Sequence, residues 1–162
     1  MSDNNKAKMI KESRIGVELT DEQCATLADL VEVGDYTDGE VVVAEGAKDD
    51  HLRIILSGAL AVAKKSGGDN EWVRLNTLTA KDLAGELAFL DSKPRYAALV
   101  ALGPTKLFSL QREKLESLLN TDPLIVYRVM RGIARFAHEV LHRSGAEMAE
   151  LTSYLFKTKA KY

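Results

Sequence analysis

One short segment of the sequence holds residues that suit a sugar-phosphate ligand. Residues 85–90 read Gly-Glu-Leu-Ala-Phe-Leu, and residues 94–97 read Pro-Arg-Tyr-Ala. The guanidinium of Arg95 presents a planar fork of N–H donors that matches phosphate oxygens. Glu86 offers two acceptor oxygens to a pair of sugar hydroxyls. A helical turn over residues 87–90 would add free backbone N–H groups, which favour an anion. From the residues alone an alternative stays open, in which Glu86 and Arg95 form an ion pair between two strands.

The sequence around this segment predicts short strands separated by turns. Glycine-containing turn signals stand at residues 38–39, 45–46, 57–58 and 103–104. The apolar runs between them predict strands at residues 41–43, 52–56, 60–63, 72–75, 97–102 and 106–110. The Gly-Gly-Asp-Asn stretch at residues 67–70 predicts a hairpin. Strands this short, with turns this frequent, predict an all-β sandwich, barrel or roll between residues 33 and 110.

Helices are predicted on both sides of the strands. Thr20 with Gln23 forms a capping box, and Cys24, Leu27, Ala28 and Val31 follow at helical spacing. Residues 1–16 are polar and predict a flexible N-terminal arm. The β-domain with its flanking helices is assigned to residues 17–122, including a helix over residues 112–120. A long helix is predicted over residues 123–157, followed by a basic tail over residues 158–162.

The long helix carries an apolar stripe with coiled-coil spacing. Its positions are Val126, Met130, Ile133, Ala137, Val140, Ser144, Met148, Leu151 and Leu155. The stripe either packs on the protein's own β-domain or forms the seam of a dimer. Length favours the seam, because about 30 helical residues span about 45 Å, whereas a domain of about 100 residues has a radius of gyration of about 13 Å. Gly132 and Gly145 are expected weak points, and Gly145 is a candidate end or kink.

Residues 85–88 and 94–97 together resemble the phosphate-binding cassette of cyclic nucleotide-binding domains, the family of catabolite activators and protein kinase A regulatory subunits. The resemblance extends to the early turns at residues 39–41 and 45–46, and to the apolar run before Ser57-Gly58. About residues 17–145 align in order. The resemblance implies a mainly β fold with flanking helices: an antiparallel, jelly-roll-like β-roll with an N-terminal helix and C-terminal B- and C-type helices.

The resemblance also implies roles for individual residues. Glu86 would accept a hydrogen bond from the ribose hydroxyl, and Arg95 would pair with the cyclic phosphate. Backbone contacts would come from Gly85, Leu87, Ala88 and Ala97. Tyr96 departs from the small residue that the family carries after the arginine; it could stack on the base, block it or turn away. The expected ligand is a cyclic purine mononucleotide, with cAMP favoured over cGMP, and no cofactor. The candidates for a lid over the base are Arg135, His138 and His142.

Several other functions find little support in the sequence. The net charge of −2 and pI of about 6.0 are unlike a nucleic-acid-binding surface. Too few residues follow Gly145 for a helix-turn-helix, so no DNA partner is expected. No apolar stretch approaches the length of about 18 residues that a membrane span needs. His138 and His142 share a helix face, but no third metal ligand is evident beyond Glu139 or Glu147, and no metal is expected.

These observations predict a stand-alone, cytoplasmic sensor that is not an enzyme. It would dimerise with a second copy through the C-terminal helix and signal to an unidentified protein partner by moving that helix. The alternative is a degenerate domain that has lost its ligand and serves as a dimeric scaffold. The free Cys24 fits a reducing compartment.

Overall fold

The computed structural model describes residues 3–66 and 71–159 of the chain. Its helices are α1 (Asp3–Glu12), α2 (Asp21–Ala28), α3 (Glu86–Asp91), α4 (Arg112–Glu116) and α5 (Pro123–Lys159), with a 3-10 turn at Ser117–Asn120. Its strands are β1 (Val31–Tyr36), β2 (Val41–Val43), β3 (His51–Lys65), β4 (Trp72–Thr79), β5 (Leu83–Ala84) and β6 (Ala98–Gln111). The helix predicted over residues 112–120 is therefore α4 continued by the 3-10 turn.

All strand pairs described are antiparallel, in the order β1-β6-β3-β4. The short strands β2 and β5 pair with β6 and β3 respectively. The prediction of a mainly antiparallel β fold with flanking helices is confirmed. The long central strands β3 and β6 supply much of the core, including Leu52, Ile54, Leu60, Leu107 and Phe108, each no more than 1% exposed.

Two pairs of predicted strands are joined in the structure. The runs at 52–56 and 60–63 form the single strand β3, and those at 97–102 and 106–110 form β6. The Ser-Gly and Gly-Pro turn signals between the runs do not end the strands, since the pairing of β3 with β6 continues on both sides of them. The two signals lie against each other, because a Cβ atom added at Gly58 would lie 2.4 Å from the Pro104 carbonyl oxygen. The pairing of β3 with β6 shifts register on both sides of Ser57, which absorbs the irregularity as a bend. The hairpin predicted at residues 67–70 lies outside the described residues.

The N-terminal segment corrects the prediction of a flexible arm. Residues 3–12 form α1, and Ile10 and Ile15 are 0% and 1% exposed. These two side chains give the segment enough apolar surface to pack on the core. The fit against α5 is close, since a Cβ atom added at Gly132 would lie 2.9 Å from the Cα of Ile15. Gly132, expected to be a weak point, is thus where the two segments meet.

The capping box predicted for the second helix is confirmed. The Thr20 hydroxyl accepts a hydrogen bond from the Gln23 backbone N–H at 3.2 Å, and the Gln23 side chain accepts one from the Thr20 N–H at 3.3 Å. The helix is shorter than predicted, because it ends at Ala28 and Val31 begins β1. Val31 pairs with Leu110 of β6, so tertiary pairing overrides the helical spacing.

The long helix α5 divides into two parts. Ile125, Val129, Ile133 and Phe136 are at most 2% exposed and pack in the core, while Val126 and Met130 of the predicted stripe lie beside the buried face. From Leu141 to Tyr154 every residue is exposed. The helix runs through Gly145 without ending. The first part therefore packs on its own domain, and a dimer seam along the second part stays a prediction.

Candidate ligand-binding site

The cassette residues line one cavity between the sheet and α5. The cavity has a volume of about 210 Å³. Every residue that the sequence analysis assigns to the ligand lies in its wall: Gly85, Glu86, Leu87, Ala88, Arg95, Tyr96 and Ala97. Phe136 and Val140 of α5 form part of the remaining wall, with Val62 and Asn76 from β3 and β4. The predicted contacts to a ligand remain predictions, but the structure brings the predicted residues together.

The turn before α3 requires a glycine for two reasons. Gly85 has a φ of +84°, in the left-handed region that side chains disfavour. A Cβ atom at this position would also lie 2.0 Å from the Nη1 of Arg95. The Gly85 carbonyl accepts hydrogen bonds from the Phe89 N–H at 3.0 Å and from Arg95 Nη1 at 2.6 Å. Gly85 thus lets the arginine pack directly on the backbone that opens α3.

The buried guanidinium of Arg95 is held by protein oxygens. Its Nε donates to the Asp49 carboxylate at 3.0 Å, and its Nη2 donates to the same carboxylate and, at 2.6 Å, to the His51 carbonyl. With the Nη1 bond to Gly85, four of its five N–H groups have protein acceptors among the described residues. The ion partner of Arg95 in the described part of the chain is Asp49 and not Glu86.

A second buried arginine binds the same carboxylate. Arg53 of β3 donates from Nη1 to Asp49 Oδ2 at 2.6 Å and from Nη2 to Oδ1 at 3.3 Å. Burial raises the pKa of the Asp49 carboxyl, but the hydrogen bonds and charges of Arg53 and Arg95 outweigh burial and lower that pKa from 3.8 to about 2. Asp49 is therefore ionised at neutral pH and links the two arginines.

Glu86 lies in a different environment from Asp49. Burial raises the pKa of its carboxyl above the usual value, against the lowering effect of its own backbone N–H, the Arg95 charge and the Gly85 N–H. No side-chain partner of Glu86 is described, which leaves its carboxyl oxygens as acceptors at the cavity wall. An acceptor of this kind suits a sugar hydroxyl.

Tyr96 stands at the mouth of the cavity. Its side chain is 73% exposed. The ammonium of Lys64 lies 3.9 Å from the centroid of the Tyr96 ring, a cation–π contact, and also 3.2 Å from the Glu45 carboxylate. The tyrosine therefore turns outward at the rim, where it still lines the cavity.

The proposed lid residues lie outside the cavity wall. Arg135, His138 and His142 are exposed, and Arg135 pairs with Glu18. The α5 residues that do line the cavity are Phe136 and Val140. One residue along a helix turns the side chain by about 100°, so the apolar face covers the cavity while the basic residues face away from it.

Other features of the described chain are weaker candidates for a site. Ligand atoms of Asp49, Asp50 and His51 lie within 4.8 Å of one another, but the two arginines on Asp49 would repel a cation there. A larger groove of about 620 Å³ lies between α1 and α2, away from the cassette. Within the described residues, no helix has both the length and the hydropathy to cross a membrane.

Comparison with known proteins decides the family. The family model of the cyclic nucleotide-binding domain matches residues 34–122. The chain belongs to this family. The Dictyostelium discoideum cAMP-dependent protein kinase regulatory subunit is 31% identical over 113 residues, which cover 68% of this chain and 35% of that protein. The cyclic nucleotide-binding chain thus spans about a third of the length of this relative.

Solved structures share the fold. A cyclic nucleotide-binding domain from Methylobacillus flagellatus superposes with a TM-score of 0.82 at 21% identity, covering 91% of this chain and 84% of that one. The regulatory subunit of a cAMP-independent protein kinase A from Trypanosoma cruzi, bound to guanosine, gives a TM-score of 0.66 at 22% identity over 89% of this chain and 51% of that one. These likenesses confirm the predicted β-roll.

Sequence reasoning missed Asp49, which binds Arg95, and Arg53, which binds the same carboxylate. Asp49 lies 46 positions before Arg95, and no local pattern links the two. Arg53 carried a readable signal, because it interrupts the apolar run from Leu52 to Leu56. A charged residue inside a buried strand must be paired, and the acids just before the run were the available partners.

Proposed function

We propose that this chain is a cytoplasmic regulatory protein that binds a cyclic purine mononucleotide, with cAMP preferred, and signals by moving α5. One observation carries the proposal: all seven cassette residues meet in a single cavity whose opposite wall is α5. Ligand contacts on one wall and α5 on the other would couple binding to a movement of α5, provided the ligand binds the two positions of the helix with different affinity.

The phosphate is proposed to bind at Arg95. One Nη1 N–H of this arginine has no protein acceptor among the described residues, and the others are shared with Asp49, His51 and Gly85. A cyclic phosphate would take the remaining N–H and compete with Asp49 for others. Arg95 also donates a hydrogen bond to the Gly85 carbonyl. A shift of the guanidinium would therefore move the backbone at the start of α3.

The sugar and base are proposed to extend from Glu86 toward the rim. The Glu86 carboxyl would accept from the ribose hydroxyl, and Tyr96 would meet the base. The preference for cAMP is supported by the relative named as a cAMP-dependent kinase subunit. The Trypanosoma cruzi relative, which is described as cAMP-independent and bound to guanosine, makes guanine compounds and nucleosides necessary comparisons in any binding test.

We propose that ligand binding is transmitted to other proteins by a change in the orientation of α5. Phe136 and Val140 touch the cavity, and directly beyond them the exposed part of the helix carries Leu141, Met148 and Leu151, each more than 60% exposed. A ligand that draws Phe136 and Val140 inward would reorient this exposed part. We propose that it pairs with a second copy of the chain and presents a surface to a protein partner.

Calorimetry on refolded, nucleotide-free protein tests the proposal with cAMP, cGMP, adenosine and guanosine. Binding of cAMP that weakens by about 10- to 150-fold in Arg95→Ala is the expected result, because one charge-assisted hydrogen bond contributes about 1.5–3 kcal/mol. Lys93→Ala is the matched control, since Lys93 lies two residues away, is 79% exposed and pairs with Asp91. Equal binding by Arg95→Ala, or heat from none of the four compounds, would contradict the proposal.

A ligand-free scaffold is the second candidate. Its support is that Arg95 is already held by protein oxygens, and that Lys64 covers a face of Tyr96. Thermal unfolding separates the two candidates. A nucleotide at 100 times its dissociation constant adds about 2.7 kcal/mol to stability, whereas a scaffold would melt at the same temperature with and without nucleotide.

A further inference from the structure

Arg53 holds an unusual position for a charged residue. It lies in the central strand β3, is 7% exposed, and its Nε is buried without a hydrogen-bond partner. Burying a guanidinium costs free energy unless it is paired. Its partner is the Asp49 carboxylate, which it binds with both terminal nitrogens, with a longer bond of 3.4 Å to the His51 carbonyl. Arg53 is absent from the cavity wall.

The shared carboxylate connects Arg53 to the phosphate-binding arginine. Arg53 Nη1 and Arg95 Nε both donate to Asp49 Oδ2, at 2.6 and 3.0 Å. Two guanidinium charges against one carboxylate leave one net positive charge on the group Arg53, Asp49 and Arg95. A cyclic phosphodiester carries one negative charge at neutral pH. With Asp49 and Arg95 alone, the pair would be neutral, and an anion would have to break it.

We infer that Arg53 is a positioning residue for phosphate binding: it holds the Asp49 carboxylate and leaves Arg95 with a positive charge that a monoanionic ligand can use. The inference rests on the proposed function. Arg53 and Arg95 donate to the same Asp49 carboxylate oxygen. Because Asp49 interacts with both arginines, its interaction with Arg95 is weaker than it would be with Arg95 alone. It also supplies a binding partner for Asp49 when the phosphate displaces it from Arg95.

The test compares cAMP affinity, measured by calorimetry, among the wild-type chain, Arg53→Gln and Arg53→Lys. Glutamine keeps a donor and removes the charge, and we expect about tenfold weaker binding from the lost charge in a partly screened site. Lysine keeps the charge and should bind within about threefold of wild type. The control Arg74→Gln removes an exposed positive charge on β4, outside the cavity wall, and should leave the affinity unchanged.

Each outcome has a distinct meaning. Wild type that binds no nucleotide refutes the proposed function and, with it, this inference. Wild type that binds while Arg53→Gln binds equally well leaves the proposed function standing and overturns the role of Arg53. Equal weakening in Arg53→Lys and Arg53→Gln also overturns it, because a structural role predicts that result and a charge effect does not.

A measurement on wild type covers the case in which Arg53→Gln does not fold. The side-chain ¹⁵N resonances of both arginines are followed during addition of cAMP. We expect the Arg95 signal to shift while Arg53 stays bonded to Asp49. Loss of the Arg53 bond to Asp49 in the complex would overturn the inference.

Discussion

The two sides of the cavity are built by different forces. On the cassette side, Arg95 is 5% exposed and joined by hydrogen bonds to Asp49, His51 and Gly85, so polar contacts fix its geometry. On the α5 side the wall is apolar: Phe136 is anchored in the core, Val140 is half-buried, and every residue from 141 to 154 is exposed. Directional hydrogen bonds therefore hold the cassette side, and apolar packing of a helix forms the opposite side.

Under the proposed function, this difference would separate ligand recognition by the cassette side from output through α5. A ligand group that competes for directional bonds is recognised by geometry, because hydrogen bonds to charged groups weaken steeply when misplaced. An apolar contact at the end of a buried helix stripe is non-directional, so the helix can shift there at low cost. The variants below test this contrast, beginning with the largest expected effect.

Removing the anchor of α5 should cost the most stability. Ile133 is 0% exposed in the core, and Ile133→Ala is expected to lower the free energy of unfolding by about 2–5 kcal/mol, through lost burial and the cavity left behind. Met130→Ala on the same helix is the control. Because Met130 is 37% exposed, this variant should lower the free energy of unfolding much less. Urea denaturation measures both, and equal losses would show that the anchored face is wrongly assigned.

The second-largest loss of stability is expected from removing the charge of Asp49 on the cassette side. Asp49→Asn leaves two buried guanidinium groups without their counter-ion and should cost about 3 kcal/mol at pH 7. The effect should depend on pH, because the pKa of Asp49 in the folded protein is about 2 against a usual 3.8. The stabilisation from this shift, about 2 kcal/mol, is complete above the usual pKa and disappears as the pH falls through about 2.

Denaturation of wild type and Asp49→Asn between pH 2 and pH 7 checks this prediction. The difference in free energy of unfolding between the two proteins should decrease as the pH falls from 4 to 2. A difference that does not change with pH would mean that the charge of Asp49 contributes nothing to folding.

The Glu86 carboxyl should show the opposite pH dependence. Because burial raises its pKa, the folded state binds the proton more tightly than the unfolded state, and the ionised form is unfavourable in the fold. Stability from this group is therefore present at low pH and is lost as the pH rises through the raised pKa. We expect Glu86→Gln to be more stable than wild type at pH 7 and to bind cAMP more weakly.

Asp91→Asn is the control for this prediction, because Asp91 lies on the same helix and pairs with the exposed Lys93. Thermal unfolding at pH 4 and pH 7 gives the comparison. A Glu86→Gln variant that is less stable than wild type at pH 7 would indicate a structural role for the carboxylate instead.

The exposed end of α5 should contribute least to the stability of a single chain. Leu151 is 61% exposed, so Leu151→Glu should change monomer stability by at most about 0.5 kcal/mol. If the stripe pairs two copies, the same variant should be monomeric by light scattering where wild type is a dimer. Ala146→Glu, also exposed but off the stripe, is the control. A wild-type monomer would contradict the dimer proposal.

Local patterns were sufficient to predict where several helices begin. The capping box at Thr20, the turn that becomes α3 and the start of α5 at Pro123 all depend on neighbouring residues. The cassette could be found because its chemistry lies within residues 85–97. The flexible arm was predicted wrongly, because residues 1–16 are mostly polar and the burial of Ile10 and Ile15 depends on tertiary packing. Ile15, for example, lies against Gly132 of α5, more than 100 positions away.

The sequence by itself determined that the chain is mainly β with flanking helices, since strands, turns and caps follow from short-range patterns. Its resemblance to a known family predicted the β-roll and the seven residues of the cassette, whose contacts to a ligand stay a prediction. Only the tertiary structure decided which carboxylate holds Arg95, which residues of α5 reach the cavity and where that helix leaves its domain. Asp49 meets Arg95 across 46 positions, and Phe136 and Val140 face the site through the rotation of a packed helix. Such contacts depend on how strands and helices are placed in three dimensions, which no local pattern of residues specifies.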